Sequence, residues 1–199
     1  MSKKLIESDI QKAAASLSVP LAAVKAVCAV ESKGDGFLPD GHPVVLFERH
    51  IMYRRTKAKY GFTRADALMA RYPDIINEKP GGYGKVSEQP GRMERAAKLI
   101  DRDCALESAS WGLFQIMGYH WEGLGYPSLQ AFINAMYRSE GEQLDAFVRF
   151  VKANPAIHEA LKRQDWRGFA RLYNGPGFEA NAYDRKLVEA FKNAGGGVA

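Results

Sequence analysis

The chain has 199 residues, a formal net charge of +5 and a balance of apolar and charged residues that is ordinary for a globular protein. This length is enough for one domain with a substantial core. No apolar run approaches the roughly 18 residues that span a bilayer, and the N-terminus turns polar too early for a secretory signal. The basic residues are scattered, so the charge suits an anionic polymer without indicating a nucleic-acid-binding arm.

Helical patterns dominate the first part of the chain, with one interruption. Ser8 and Gln11 have the spacing of a capping box, which predicts the start of a first helix. Ser18 is the predicted N-cap of a second helix, with Pro20 in its first turn. Apolar residues on both sides of a turn rich in proline and glycine then predict a small β-hairpin or extended loop over residues 37–47.

The remaining pattern is again mostly helical. Glu48 can begin a helix, and Thr63 and Asp66 have the spacing of another capping box. Residues 73–91, rich in proline and glycine, are predicted to form a loop, and Ser110 is predicted to begin a short helix. Apolar stripes and caps predict the later helices, at residues 93–100, 129–136, 144–151, 155 onward, 165–173 and 180–191.

Glu31 occupies the C-terminal end of an apolar helical stripe. The other members of the stripe are Leu21, Val24, Val27 and Cys28. A carboxylate on a buried helix face is costly unless it is paired or neutral, and the helix dipole disfavours negative charge at this end. Both effects are expected to raise the pKa of Glu31, as a general acid of glycoside cleavage requires. The alternative is that Glu31 reaches solvent or pairs with Lys33 or Arg49.

Two distant segments favour the catalytic interpretation. Residues 110–116 read Ser-Trp-Gly-Leu-Phe-Gln-Ile, and residues 173–175 read Tyr-Asn-Gly, with Tyr183 further on. Together with Glu31-Ser32 they resemble, in order, the motifs of the lysozyme-like superfamily, which includes goose-type lysozymes and soluble lytic transglycosylases. The stretch over residues 30–50 is more particular, because it resembles the N-acetylmuramidase endolysins of tailed phages that infect Gram-negative bacteria. The similarity covers nearly the whole chain.

The resemblance implies a mainly α (α+β) lysozyme-like fold, a helical bundle with a small β-hairpin or loop beside a glycan-binding cleft between two lobes. It implies one catalytic domain over residues 1–199, which can include a smaller helical lobe around residues 52–109, and no separate cell-wall-binding domain. The implied activity is hydrolysis of the β-1,4 linkage between N-acetylmuramic acid (MurNAc) and N-acetylglucosamine (GlcNAc) in peptidoglycan, for host-cell lysis. No metal or organic cofactor is needed.

The family also implies how the protein reaches its substrate. A phage lysin without a signal is made in the host cytoplasm, depends on a holin for access to the wall, and acts in the periplasm. Its partner is the peptidoglycan glycan strand, with no nucleic acid, and a monomer is expected.

A second carboxylate is needed if water attacks the sugar. Asp40 is the preferred candidate, because it lies in a turn where an ionised group stays solvated, and the resemblance points to the same position. Asp35 is the alternative, although a Gly-Asp-Gly turn accounts for it without catalysis. Glu48 follows an apolar run and is assigned to the substrate-binding region, where it can raise the pKa of Glu31. An ion pair with Arg49 or an N-cap-like role explains Glu48 equally well.

The other candidate substrate-binding residues are polar or aromatic. Ser110 and Gln115 can bind sugar hydroxyl and N-acetyl groups, although Ser110 can instead be an N-cap. Asn174 can present its amide to an acetamido group, or simply form a turn. Tyr183 lies on the apolar stripe of the last helix, where its hydroxyl needs a partner, which the resemblance places near the acid. Tyr119 is assigned to the rim of the cleft or to the core.

Several other classes of protein are excluded or disfavoured. Two cysteines are too few for a disulfide framework, although a bridge between Cys28 and Cys104 stays open. Cys28 as a nucleophile would need a nearby base. The four histidines lack zinc-ligand spacing, and no phosphate loop or Gly-x-Ser-x-Gly elbow is present. A lytic transglycosylase with Glu31 as the sole acid and a non-catalytic peptidoglycan-binding module remain as alternatives.

Overall fold

The computed structural model describes residues 3–31 and 34–197. The chain divides into two compact units, one formed by residues 1–36 and 139–199 and the other by residues 37–138. The second unit is wider than the lobe expected around residues 52–109, and the assignment of a single domain stays a prediction. The described elements are mainly helical with one small sheet, which confirms the predicted fold class.

The first unit is built only of helices among its described residues. They are α1 (Glu7–Leu17), α2 (Leu21–Glu31), α8 (Glu140–Ala153), α9 (Pro155–Lys162), α10 (Trp166–Asn174) and α11 (Tyr183–Asn193). The apolar faces of these helices meet in a core that includes Leu17, Val27, Phe147, Phe169 and Leu187, each at most 1% exposed. Helix α2 packs against α1 and α11, so the helix that ends in Glu31 is held on two sides.

Two predicted caps at the start of this unit are wrong. Helix α1 begins one residue before Ser8, and the N–H of Ile6 donates to the carboxylate of Asp9 at 3.2 Å. Ser18 is the C-cap of α1 and not the N-cap of α2, with a left-handed φ of 54°. A short polar residue satisfies the end of one helix as readily as the start of the next, so the local pattern did not distinguish the two.

The second unit combines helices with a three-stranded antiparallel sheet. Its elements are β1 (Val45–Phe47), α3 (Arg49–Tyr60), α4 (Phe62–Arg71), α5 (Gln89–Leu99), α6 (Arg102–Glu107), β2 (Ala109–Trp111), β3 (Ile116–Met117) and α7 (Leu129–Arg138). Strand β2 is central, with Leu46 opposite Ser110 on one side and Ser110 opposite Met117 on the other. Phe47, Trp111, Phe132 and Met136 are at most 1% exposed and lie in the core.

Of the two structures predicted for residues 37–47, a local hairpin or an extended loop, the protein has the loop. A tight turn is present, because the N–H of Leu38 donates to the carbonyl of His42 at 2.7 Å and Phe37 bridges Pro43. Strand β1, however, pairs with β2 and not with residues 37–38. Ser110 accordingly lies in a strand and does not begin a helix. Partner choice between strands is made by packing between distant segments, which local alternation does not encode.

Two further boundaries differ from the predictions. Helix α4 begins before Thr63, so the Thr63 capping box is wrong. The loop predicted over residues 73–91 ends earlier, because Val86–Glu88 form a 3-10 turn and Pro90 lies in the first turn of α5. Proline is well tolerated at that position, since the first N–H groups of a helix have no intrahelical acceptor.

None of the described helices is long and apolar enough by itself to cross a membrane. Helices α1 and α2 reach the required length and apolar composition only together, as a pair bent by 115°.

Candidate active site

Glu31 is the last residue of α2, and its side chain is half-buried. The predicted stripe is confirmed, since Val24, Val27 and Cys28 are buried on the same helix. Ser32 and Lys33, the latter a proposed partner of Glu31, lie outside the described residues. Gly34 follows with a φ of 126°, a conformation that glycine adopts without steric cost. The carboxyl group therefore sits where a packed helix gives way to a turn.

Asn174 contacts Glu31 directly. Its Nδ2 donates a hydrogen bond to Oε1 of Glu31 at 3.1 Å. Asn174 is the last residue of α10, and Gly175 turns the chain away with a φ of 76°. This contact is more specific than a turn-forming role, because it places an amide donor on the predicted acid.

Tyr173, the residue before Asn174, also lies near Glu31. Its ring stacks on Phe169 with the centroids 5.6 Å apart and meets Phe147 edge-on at 5.5 Å. Burial raises the pKa of the Tyr173 phenol, and the charge of nearby Glu31 raises it further. The motif by itself did not predict that Tyr173 lies near the acid, because Glu31 and Phe147 reach it from two other helices.

Tyr183 is the first residue of α11, the helix that packs against α2. The side chain is half-buried, and the ammonium of Lys186 lies 5.7 Å from the centre of its ring. The placement of the Tyr183 hydroxyl near Glu31, which the resemblance implies, stays a prediction.

Asp40 lies in the tight turn of the second unit and is well exposed. Its Oδ1 accepts a hydrogen bond from the backbone N–H of His42 at 3.0 Å and lies 3.2 Å from Nδ1 of the same residue. The backbone hydrogen bond, followed by the His42 ring, holds the pKa of Asp40 below its usual value. Asp40 is therefore an ionised, solvated carboxylate, as its position in the sequence predicted.

Asp35 has a structural partner. Its carboxylate, exposed like that of Asp40, pairs with the ammonium of Lys4. Lys4 also lies 3.3 Å from Glu140, a buried residue that accepts hydrogen bonds from the N–H groups of Leu5 at 2.8 Å and Gly36 at 2.9 Å. Glu140 thus fixes the segment that follows Glu31. This buried role of Glu140 was not predicted from the sequence, because a glutamate at the start of a helix usually faces solvent.

Glu48 precedes α3, and its side chain is only 15% exposed. Its Oε2 lies 3.1 Å from Nδ1 of His50, and neither of these two atoms forms a hydrogen bond with a described residue. Arg49 is not the ion-pair partner proposed for Glu48, since its guanidinium donates to the carbonyls of Pro73 and Pro80. Burial raises the pKa of Tyr83, and the nearby Glu48 carboxylate is the second cause.

Ser110 and Gln115 form a pair in the second unit. The hydroxyl of Ser110, buried in β2, donates to Oε1 of Gln115 at 2.7 Å, and Nε2 of Gln115 donates to the carbonyl of Gly112 at 2.8 Å. Gln115 is exposed and has a left-handed φ of 51°. Tyr119 is 36% exposed, which excludes a core position, and its ring packs beside that of His120. The substrate-binding roles of these residues stay predictions.

The alternatives based on cysteine are not supported. Cys28 and Cys104 are both buried thiols and neither forms a disulfide. Burial raises the pKa of each thiol to about 12, so neither provides a thiolate near neutral pH. Among residues 3–31 and 34–197, no group of three or more histidine, cysteine, aspartate or glutamate side chains is arranged to hold a metal ion.

Comparison with known proteins gives the class to which this fold and these residues belong. A family model described as N-acetylmuramidase matches residues 20–195. The crystal structure of a Burkholderia AP3 phage endolysin has 50% sequence identity and a TM-score of 0.93, covering 98% of this chain and 73% of that chain. Comparison with curated proteins finds no match. The chain therefore belongs to the N-acetylmuramidase family, and the predictions of a glycoside hydrolase and a muramidase endolysin are confirmed.

Proposed function

We propose that this muramidase hydrolyses the β-1,4 linkage between MurNAc and GlcNAc with Glu31 as general acid and Asp40 as the second carboxylate. The observation that carries the proposal is the hydrogen bond from Asn174 to Glu31, which orients a half-buried carboxyl group at the end of a packed helix. The family match covers both residues. A positioned general acid typically contributes about 10²–10⁴-fold to such a reaction.

The geometry suits a proton donor. Asn174 donates to Oε1, which can accept this hydrogen bond when the carboxyl group is protonated on its other oxygen. Oε2 can therefore carry the proton that passes to the leaving oxygen of the glycoside. The helix dipole disfavours negative charge at this end of α2, which also favours the protonated acid.

Asp40 has the opposite electrostatic character. It is exposed, and its pKa is held low by the N–H of His42, so it is ionised and can deprotonate an attacking water molecule. Two carboxyl groups in opposite protonation states are the requirement for glycoside hydrolysis. We infer an inverting reaction, by analogy with goose-type lysozymes. The alternative is a lytic transglycosylase, in which Glu31 alone is required and the 6-hydroxyl of MurNAc replaces water.

A cellular setting for this activity is also part of the proposal. We propose that the protein acts as a monomer on the glycan strands, without a metal or organic cofactor. It would be synthesised in the host cytoplasm and reach the periplasm through a holin.

Product analysis tests the proposed function. Purified Gram-negative peptidoglycan is digested with the wild type, Glu31→Gln and Asp40→Asn, and the fragments are identified by mass spectrometry. Hydrolysis predicts reducing MurNAc ends that both variants lose. Fragments about 18 mass units lighter, one water, with Asp40→Asn still active, would identify a transglycosylase.

Glu7→Gln is the matched control, because Glu7 belongs to the same unit and is exposed beside Lys25. It should retain wild-type activity. Peptidoglycan binding without any cleavage by the wild type would support the non-catalytic module instead. Retained cleavage by Glu31→Gln would exclude Glu31 as the acid.

A further inference from the structure

A groove of about 610 Å³ lies in the second unit, between α5 and α7. Its volume falls within the roughly 300–1,000 Å³ that is usual for ligand sites. The apolar part of the lining includes Met93, Leu106 and Ile133. None of the predicted catalytic or substrate-binding residues lines this groove, although Trp111 of the 110–116 motif does, and the proposed mechanism does not use the groove.

The polar lining is organised by a chain of side-chain hydrogen bonds. The guanidinium of Arg102 donates to Oε1 of Gln130, and Nε2 of Gln130 donates to Oδ1 of Asn134 at 2.8 Å. Both carbonyl oxygens are thereby used as acceptors, and the amide N–H groups of Asn134 remain as donors for a ligand. Amide donors of this kind suit peptide carbonyl and carboxylate groups.

The groove is lined by charged side chains of both signs. Its charged lining residues are Lys98, Arg102 and Glu94. All three side chains are exposed, and within the described part of the chain no acidic group lies at ion-pair distance from the Lys98 ammonium. The groove therefore offers the ammonium of Lys98, the carboxylate of Glu94 and the guanidinium of Arg102, which also lies 3.6 Å from the exposed carboxylate of Asp103. This set complements a ligand with carboxylates and one ammonium group.

The groove is continuous with the surroundings of Asp40. Tyr137 lines the groove and meets the His42 ring edge-on at 6.0 Å, and His42 contacts Asp40. Burial raises the pKa of Tyr137, with the charges of Glu94 and Asp40 as further causes. The rings of His42 and Tyr137 thus link the Asp40 carboxylate to the groove, and a substituent of a sugar bound near Asp40 would reach the groove across the exposed Tyr137 ring.

The lining favours a peptide over another sugar. Trp111 at the base of this groove is only 1% exposed and is covered by Tyr137, with the ring centroids 6.3 Å apart. The exposed aromatic surface of the lining is therefore that of Tyr137, which is 38% exposed. The charged groups of Lys98, Arg102 and Glu94 suit a charged peptide better than a neutral sugar.

We propose that this groove binds the acidic peptide that branches from the muramyl sugar of peptidoglycan. Lys98 and Arg102 would bind its carboxylates, Asn134 its backbone, and Glu94 the ammonium of a diamino acid. The proposal rests on the proposed function, because the peptide reaches the groove from a sugar held near Asp40. The enzyme would then distinguish peptide-bearing strands from bare glycan.

Binding of a free peptide tests this inference without relying on catalysis. N-acetyl-L-Ala–D-Glu–meso-diaminopimelate is titrated into the full-length protein and followed by isothermal titration calorimetry. Lys98→Glu and the double variant Lys98→Ala/Arg102→Ala should each weaken binding about five- to tenfold, since exposed charge pairs contribute modestly. Arg64→Glu is the matched control, because Arg64 is an exposed cation of the same unit outside the groove, and it should bind as the wild type does.

Hydrolysis provides the second readout. The KM for strands that carry peptides should rise in Lys98→Glu, while the KM for strands stripped of peptide by an amidase should match that of the wild type. Absence of peptide binding, or equal binding by all variants, would overturn the inference. Loss of cleavage by the wild type on both substrates, with the binding result intact, would instead overturn only the proposed function.

Discussion

Asn174 and Glu31, 143 positions apart in the sequence, are joined by a hydrogen bond from Nδ2 to Oε1 at 3.1 Å. The contact connects the C-terminal ends of α10 and α2, two helices of one unit. Because both side chains are only half-buried, the hydrogen bond contributes more to the orientation of the carboxyl group than to stability. Asn174 therefore acts as a positioning residue for the proposed acid.

Substitution of Asn174 should reveal this role. Asn174→Ala is expected to lower kcat about tenfold to a hundredfold, because the acid loses a defined orientation. Asn174→Asp should be more damaging, since a second carboxylate beside Glu31 changes its protonation and shifts the pH–rate profile upward. Steady-state kinetics from pH 4 to pH 9 provide the measurement. Identical profiles for the wild type and Asn174→Asp would exclude the role.

Replacement of Asp40 distinguishes the two reactions. If Asp40 is the base, Asp40→Asn should lose about 10²–10⁴-fold in kcat, with KM little changed. Asp35→Asn is the control, because its carboxylate pairs with Lys4, and it should retain most activity. The opposite ranking, with Asp35→Asn inactive and Asp40→Asn active, would assign the second carboxylate to Asp35.

Glu140 should contribute strongly to stability. Its carboxylate is 4% exposed and accepts the N–H groups of Leu5 and Gly36. Glu140→Gln turns one acceptor oxygen into a donor, so we expect a loss of about 1–3 kcal/mol in the free energy of unfolding, measured in urea. Asp145→Asn on the same helix removes only an exposed pair with Arg149 and should cost less than about 0.5 kcal/mol. Equal losses would contradict the assignment.

Asp101 should make stability depend on pH in the acid range. Although burial opposes it, the N–H of Cys104 at 2.8 Å and the donors of Lys59 and Tyr60 hold the pKa of Asp101 well below its usual value. Since the folded pKa is lower than the unfolded one, about 3.9, this stabilisation is complete at higher pH and is lost as the pH falls through the folded pKa.

The matching substitution is Asp101→Asn, which removes the charge of this N-cap. It should lower the free energy of unfolding by about 1–2 kcal/mol at pH 6 and by progressively less below pH 4. Urea unfolding of the wild type and the variant at pH 6, 4 and 3 gives the comparison. Asp103→Asn, an exposed neighbour on α6, should show no such dependence. A difference that stays constant down to pH 3 would refute the mechanism.

The helices with a long apolar periodicity, and the position of Glu31 at a helix end, follow from local sequence patterns alone. The stripe through Val24 and Val27 is local information, because residues three and four apart share one helix face whatever the rest of the chain does. The solvated turn around Asp40 was also predicted from local information, because proline and glycine flank this residue. The order of the motifs was sufficient for the family, since it depends on residue identity and not on contacts.

Contacts between segments that are distant in the chain depend on tertiary packing and could not be predicted from local patterns. The pairing of β1 with β2, the contact of Asn174 with Glu31 and the anchoring of Gly36 by Glu140 all join residues far apart in the chain. Such contacts arise when several helices and strands bury their apolar faces together, and the polar partners then depend on that packing. Periodicity describes the face that each segment buries, but not the segment that covers it.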